Sequence, residues 1–178
     1  MALIKLSDYY PDHVKDLFDG HHITNFSVYA NDADDNDQNK VGSVKDMLVD
    51  ETDGHLRYFI VDTGFWIFGK QVLLPVGLAQ LNYDKERLYV AGLTKDQVEN
   101  LPEFSDDLKI DNDYEEHVRS FYRPLIPTSM AVTALGGGGF SGLYSYQQEP
   151  YLYELNDPAF RSYQQRLRDR RATKTSHR

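Results

Sequence analysis

The sequence contains no cysteine, which excludes disulfide bonds, thiolate zinc sites and cysteine nucleophiles. It has no apolar run approaching the roughly 20 residues that cross a bilayer. Residues 1–10 also lack the apolar core of a signal peptide. These absences predict a cytoplasmic protein without a membrane span. A length of 178 residues favours one compact domain with a tail over two large domains.

Aromatic residues and charge are what the chain has in abundance. The 13 Tyr, 9 Phe and 1 Trp predict a folded core despite a formal net charge of -9. Residues 151–178 carry seven Lys/Arg and three acids, a balance of +4, so the preceding residues carry -13. This basic tail favours a solvated, frayed terminus over RNA or anionic-membrane binding. Its candidate nucleic-acid ligands are Arg166, Arg168, Arg170 and Arg171.

The first half of the chain has the patterns of β-strands. Phe26, Val28 and Ala30 alternate as in a half-buried strand, and an Asp53-Gly54 pair predicts a hairpin turn. Strands are predicted at 22–30, 41–49, 56–62, 72–74, 78–81 and 88–91. Both alternating sets of 56–62 are largely apolar, with Leu56, Tyr58 and Ile60 on one face and Phe59 and Val61 on the other, so this strand is expected to be covered on both faces. The pattern predicts a mainly β fold, closed as a small barrel or a tight sandwich.

Short helices are predicted after the strands. Thr94 and Gln97 have the spacing of a capping box for a helix over 94–101. A second helix is predicted over 114–122, with Asp113 and Glu116 as its capping pair. The spacing from Glu115 to Arg119 also predicts a favourable charge pair on this helix.

The end of the chain divides into a linker and a helix. The glycines at 136–139 and the tyrosines that follow predict a Gly/Tyr-rich linker over 128–156 with weak local order. Asp157-Pro158 then begins a basic C-terminal helix or tail over 157–178. Its apolar face is formed by Phe160, Tyr163 and Leu167.

The segments 41–50, 56–62, 72–75, 93–97 and 101–104 together resemble the PRC-barrel domain. That family includes the cytoplasmic domain of the photosynthetic reaction-centre H subunit and the C-terminal domain of a ribosome maturation factor. Residues 64–70 resemble the stand-alone cyanobacterial branch in particular. The resemblance implies a PRC-barrel domain over 1–104, a helical extension over 105–127, and a protein-contact module with no catalytic residues and no cofactor.

Four consecutive apolar residues, Phe65, Trp66, Ile67 and Phe68, form the candidate interface. In an extended segment two of them face each way, so a small barrel buries only one pair. The other pair is covered by one of the predicted helices or by a protein partner. Burial against a partner contributes on the order of 2 kcal/mol per ring. Because aromatic residues are favoured interface anchors, we predict homodimerisation through this segment.

Two other functions stay open at this point. Asp32, Asp34 and Asp37 place oxygen ligands in one loop, which is a weak calcium site because the EF-hand spacing fails. A small ligand in a barrel pocket is the related alternative, and RNA or ribosome contact through the tail is the weaker one. No catalytic constellation is identifiable, so we predict a protein that is not an enzyme.

Overall fold

A computed structural model describes residues 2–12, 18–30, 37–64, 69–127 and 144–176 of the chain. The strands are β1 (Leu3–Lys5), β2 (Ser27–Ala30), β3 (Lys40–Asp50), β4 (Leu56–Asp62), β5 (Gln71–Pro75), β6 (Ala79–Asn82) and β7 (Arg87–Val90). The α-helices are α1 (Leu6–Tyr9), α2 (Lys95–Asn100), α3 (Asn112–Tyr122), α4 (Pro150–Tyr153) and α5 (Pro158–Ser176). Short 3-10 helices cover Ile23–Asn25, Asp37–Asn39, Val76–Leu78, Arg123–Leu125 and Tyr146–Gln148.

The seven strands form one sheet in the order β5-β4-β3-β2-β7-β6, with β1 beside β3. All neighbours are antiparallel except β2 and β7, which are parallel. The long strand β3 pairs with β2 near Ser43 and with β1 near Val49, and its register against β4 shifts twice. Such shifts increase local twist and curl a sheet around its core.

The curled sheet does not close into a barrel, because the described edge strands β5 and β6 do not pair with each other. The Val76–Leu78 turn separates these two strands in the chain. Beyond the sheet edge at β5, Gln71 forms an isolated bridge with Phe104 and the Tyr122 hydroxyl donates to the Leu73 carbonyl at 2.7 Å. The edge of β5 is therefore partly covered by the residues that lead into and form α3.

The C-terminal residues pack onto this sheet and complete its core. Phe160, Tyr163 and Leu167 of α5 are buried, as predicted. The Tyr163 ring stacks on Phe18 with 3.8 Å between centroids, and Phe160 lies 6.2 Å from Phe59 of β4. Of the two predicted states of 157–178, a helix or a frayed tail, the structure has the helix, α5, because its apolar face covers aromatic side chains of the sheet.

Most local predictions are confirmed. The hairpin turn has Gly54 at φ +75°, and every residue of β4 from Leu56 to Val61 is buried. The capping box at Thr94 and Gln97 has both of its hydrogen bonds, and Asp157 accepts the Phe160 N–H at 2.8 Å. The predicted β-rich fold is confirmed, with β1 as an additional strand and an open sheet.

Two local predictions were wrong. The strand predicted over 22–30 corresponds to β2, which begins at Ser27, after a 3-10 helix, and not at 22. The cap of α3 is Asp111, whose carboxylate accepts the Tyr114 N–H at 2.9 Å, and not Asp113. Asp113 lies inside the first turn, where a carboxylate still interacts favourably with the helix dipole.

Residues 144–156 also differ from the predicted linker. They contain a 3-10 helix and α4, in which Tyr146, Leu152 and Tyr153 are buried. Helix α4 approaches the Val76–Leu78 turn so closely that a Cβ atom on Gly77 would clash with the Tyr151 carbonyl oxygen. Tyrosine-rich segments bury their rings when a hydrogen-bond partner is near, which explains the order of this part of the chain.

Candidate functional site

A cluster of buried polar side chains joins the sheet, α3 and residues 144–153. Its position is set by α3, which begins at the Asp111 cap and presents Glu115, Arg119 and Tyr122 at helical spacing. All three are buried, although Glu and Arg are among the residues least often found inside proteins. This cluster is called the Glu115 cluster below, and it consists of Tyr58, Glu115, Arg119, Tyr144, Tyr146 and Tyr153.

The Glu115 carboxylate is the acceptor at the centre of the cluster. Its Oε1 atom accepts hydrogen bonds from the hydroxyls of Tyr58 at 2.9 Å and Tyr146 at 2.8 Å. The Tyr58 and Tyr153 hydroxyls are 2.5 Å apart. Three segments that are distant in sequence are thus connected through one carboxylate, and burial of the polar groups is compensated by hydrogen bonds.

Arg119 is the cationic partner of this carboxylate. It is 1% exposed, and its Nη1 atom lies 3.6 Å from Glu115 Oε1 and 3.4 Å from the Tyr153 hydroxyl. Its guanidinium carbon lies 3.6 Å from the centroid of the Tyr144 ring. A guanidinium stacked on an aromatic face and bonded at its edges retains most of the interactions it loses with water.

Ion pairs on the outer side of the cluster fix residues 144–153 further. Arg123 contacts Glu116 of α3 and donates from Nε to Glu149 Oε1 at 2.6 Å. The Tyr144 hydroxyl donates to the other Glu149 oxygen at 2.6 Å. These groups are more exposed than Glu115, so each pair contributes less to stability than the buried contacts.

Arg57 extends the cluster toward the β3–β4 hairpin. Its guanidinium carbon lies 4.2 Å from the Tyr146 centroid, and Nη2 donates to Asp53 Oδ2 at 2.7 Å. Although burial alone would raise the pKa of Asp53, hydrogen bonds from His55 and the charge of Arg57 hold it at about 2. A cavity of about 200 Å³ lies beside these residues and Tyr146. Asp50 also lies near Arg57, so the positive charge of Arg57 is offset by two carboxylates, those of Asp50 and Asp53.

Burial raises the pKa of Glu115, although the hydrogen bonds from Tyr146 and Tyr58 and the charge of Arg119 act to lower it. Burial also raises the pKa of Tyr153 to about 12. Protonation of the Glu115 carboxyl group is therefore coupled to folding. Because Glu115 is 5% exposed and bonded to protein donors, its chemistry is that of a structural connection between segments.

The raised pKa of Glu115 predicts a pH-dependent stability. Compared with a Glu115→Gln variant, the wild-type chain is expected to lose relative stability as pH rises from about 4, the unfolded value. The loss continues until pH exceeds the folded pKa, because the folded state holds the proton more tightly. Urea unfolding of both proteins across this range measures the difference.

Glu116→Gln is the matched control for this prediction. Hydrogen bonding to Arg123 lowers the pKa of Glu116, so the wild-type chain should gain stability over this variant as pH rises toward about 4. A wild-type advantage over Glu115→Gln that grows with pH would show that the attraction of Arg119 outweighs burial, and the predicted direction for Glu115 would then be wrong.

The candidate interface residues Phe65, Trp66, Ile67 and Phe68 lie outside the described residues, but both ends of their loop are described. The Thr63 N–H donates to the Lys70 carbonyl at 2.9 Å, and the Gly69 N–H donates to the Gly64 carbonyl at 2.7 Å. The four residues therefore connect the two ends of a closed β4–β5 hairpin.

The candidate calcium ligands are only partly described. Asp32 and Asp34 lie outside the described residues, and Asp37 has a side chain that is 88% exposed. Asp37 accepts a hydrogen bond from the Tyr29 hydroxyl at 3.4 Å. Within the ranges that the structure covers, no group of three His, Asp or Glu side chains is arranged to hold a metal ion. Calcium binding by this loop stays a prediction.

The arginines of the tail contact the rest of the protein. Arg170 lies over the Tyr10 ring at 4.5 Å, and Arg171 donates to the Thr52 carbonyl of the β3–β4 hairpin. The Arg168 Cγ atom lies close to Gly54 of the same hairpin. Arg166 donates to the Ser162 hydroxyl at 3.0 Å. These contacts position α5 on the domain and occupy part of the side chains that RNA binding would use.

The Glu115–Arg119 pair was predictable from its spacing, but the cluster around it was not predicted. The sequence pattern predicts a linker that contains Tyr144, Tyr146 and Tyr153. It predicts Tyr58 to be an apolar residue of a strand. The available signal was composition, because four tyrosines between 144 and 153 are unusual for a solvated linker.

Comparison with known proteins identifies the domain. The profile of the PRC-barrel domain matches residues 15–97. An uncharacterised protein of Deinococcus radiodurans is 44% identical over 68 residues, which are 38% of this chain and 24% of that protein. The similarity thus spans about a quarter of the relative.

The family indicates the general role of the domain. PRC-barrel domains are small protein-interaction modules and are generally not enzymes. No helix among the residues placed by the structure is both long and apolar enough to cross a membrane. The order of sequence segments, the curled sheet and the profile agree, and residues 15–97 of this chain match the PRC-barrel domain family.

Proposed function

We propose that this chain is a non-enzymatic binding and assembly protein that forms a homodimer through Phe65, Trp66, Ile67 and Phe68. The observation that carries the proposal is the closed base of the β4–β5 hairpin. A hydrogen bond from the Gly69 N–H to the Gly64 carbonyl brings these two residues together, and the four residues between them in the sequence are all apolar.

The rest of the described surface offers few apolar anchors. Among the described residues, Leu108 is the one large hydrophobic side chain that is exposed, at 37%. Stable interfaces rely on a few aromatic anchors surrounded by polar contacts. The loop supplies three aromatic rings in sequence, and a two-fold axis would double that number at one contact.

Two observations support the proposal that the chain is not an enzyme: the general character of the family and the burial of the Glu115 cluster. The perturbed carboxyl group has protein donors on its Oε1 atom and is almost fully buried. A general base must instead reach a substrate atom at hydrogen-bond distance. The cluster thus serves the attachment of residues 144–153 to the domain.

Mass in solution and tryptophan emission test the dimer together. Trp66 is the single tryptophan of the chain, so its emission reports directly on this loop. We expect a dimeric mass by light scattering at micromolar concentrations and a red shift of emission on dilution. A Trp66→Phe/Phe68→Ser double variant should be monomeric, because Ser replaces a buried ring.

Leu108→Ser is the matched control, since it removes a large exposed side chain elsewhere on the surface. This variant should keep the dimeric mass and the wild-type emission. A monomeric wild-type chain at high micromolar concentration, or a loop variant that remains a dimer, would refute the proposed interface.

A further inference from the structure

A cavity of about 480 Å³ lies between the N-terminal residues and the last turns of α5. Its apolar walls come from Tyr9, Tyr10, Pro11 and Leu167, and Arg170 and Arg171 lie at its border. Pockets that bind small molecules combine mainly apolar walls with a few polar groups, in volumes of about 300–1,000 Å³. The cavity has the size and composition of such a site, with room for roughly ten to fifteen non-hydrogen atoms.

The charge around the cavity favours an anion. Arg170 and Arg171 carry two positive charges, and Asp12 is the one acid among the described residues that line the cavity. Arg170 stacks on Tyr10, which holds its guanidinium beside the opening. Arg171 is fixed by its bond to the Thr52 carbonyl. In the smaller cavity beside Arg57, by contrast, the two acids Asp53 and Glu154 balance the charges of Arg57 and Arg161.

We propose that this cavity binds a small amphipathic carboxylate, with its apolar body between Tyr9, Tyr10 and Leu167 and its carboxylate bonded to Arg170. The site is independent of the dimer interface. Guanidinium groups recognise carboxylates through short, charge-assisted hydrogen bonds, and the aromatic walls remove the ligand's apolar surface from water.

The test compares phenylbutyrate with phenylbutanol, which has a similar apolar body but no charge. Each compound is titrated into the full-length chain at constant ionic strength and followed by amide NMR. We expect saturable shifts at residues 9, 10 and 167–173 with phenylbutyrate, at an affinity in the sub-millimolar range. Phenylbutanol should bind about tenfold more weakly, because the charge-assisted bonds are missing.

Two variants separate this site from a nonspecific apolar patch. Arg170→Gln should weaken phenylbutyrate binding about tenfold, while Arg166→Gln, on the same helix but away from the cavity, should leave it unchanged. Tyr9→Phe should leave phenylbutyrate binding unchanged, because the Tyr9 hydroxyl is buried and does not border the cavity.

The proposal is wrong if the acid and the alcohol bind equally or if neither gives saturable shifts at these residues. It is also wrong if Arg170→Gln and Arg166→Gln behave alike.

Discussion

Replacing Arg119 with methionine is expected to lower the free energy of unfolding by about 3–5 kcal/mol. The methionine fills a similar volume but leaves Glu115 buried without its cationic partner. Arg119 is 1% exposed, so water does not screen or replace the lost interaction. Equilibrium urea unfolding, followed by circular dichroism, measures the change.

Two further variants identify the cause of this loss. Arg119→Met combined with Glu115→Gln should recover part of the stability, because no buried charge is then unpaired. Glu116→Gln breaks only the outer contacts of Arg119 and Arg123, and should cost less than about 1 kcal/mol. If Arg119→Met costs no more than Glu116→Gln, the Glu115 cluster does not hold α3 and residues 144–153 on the sheet.

Replacing Phe160 with alanine is expected to cost about 3–5 kcal/mol. The ring is 2% exposed and lies between Phe18 and Phe59, at centroid distances of 6.1 and 6.2 Å. Its removal leaves a cavity at the centre of the contact between α5 and the sheet. Thermal and urea unfolding both report this loss, and the NMR signals of α5 should broaden with it.

Gln165→Ala provides the comparison on the same helix. Gln165 is exposed and donates only to Asp169, so its replacement should change stability by less than about 0.5 kcal/mol. Equal effects of the two substitutions would mean that α5 does not contribute to the core.

Local signals explain which parts of the fold were predictable. The turn at Gly54, the capping box at Thr94 and the cap at Asp157 each depend on residues within four positions of one another, so the sequence displays them directly. Alternation of apolar residues likewise predicted the strands. The error at the start of α3 arose because Asp111 and Asp113 are both competent caps, and only the path of the chain decides between them.

The Glu115 cluster could not be predicted because its contacts join distant segments. Tyr58 and Tyr153 are 95 positions apart, and Tyr58 and Glu115 are 57 apart. In the sequence Tyr58 appears as one more apolar residue of a covered strand, and the tyrosines near 150 follow a glycine-rich stretch typical of a linker. Only the packing of α4 on the turn that contains Gly77 brings these residues to α3.

The profile match ends at residue 97, but the buried core continues beyond it. Val118, Tyr122, Tyr146, Tyr153 and Phe160 belong to the same hydrophobic cluster as the strands. Their burial indicates that α3, α4 and α5 complete the hydrophobic core around the sheet. The helices cover both faces of β4, since Tyr58 contacts Glu115 and Tyr153 while Phe59 lies near Phe160.

Hydrogen exchange of the native chain tests most directly whether α5 completes the core. If it does, the amide protons of residues 163–167 should exchange only through global unfolding, with the same free energy as those of β4. Exchange of α5 amides at rates typical of an unfolded peptide, while those of β4 stay protected, would show that the helix is not part of the domain.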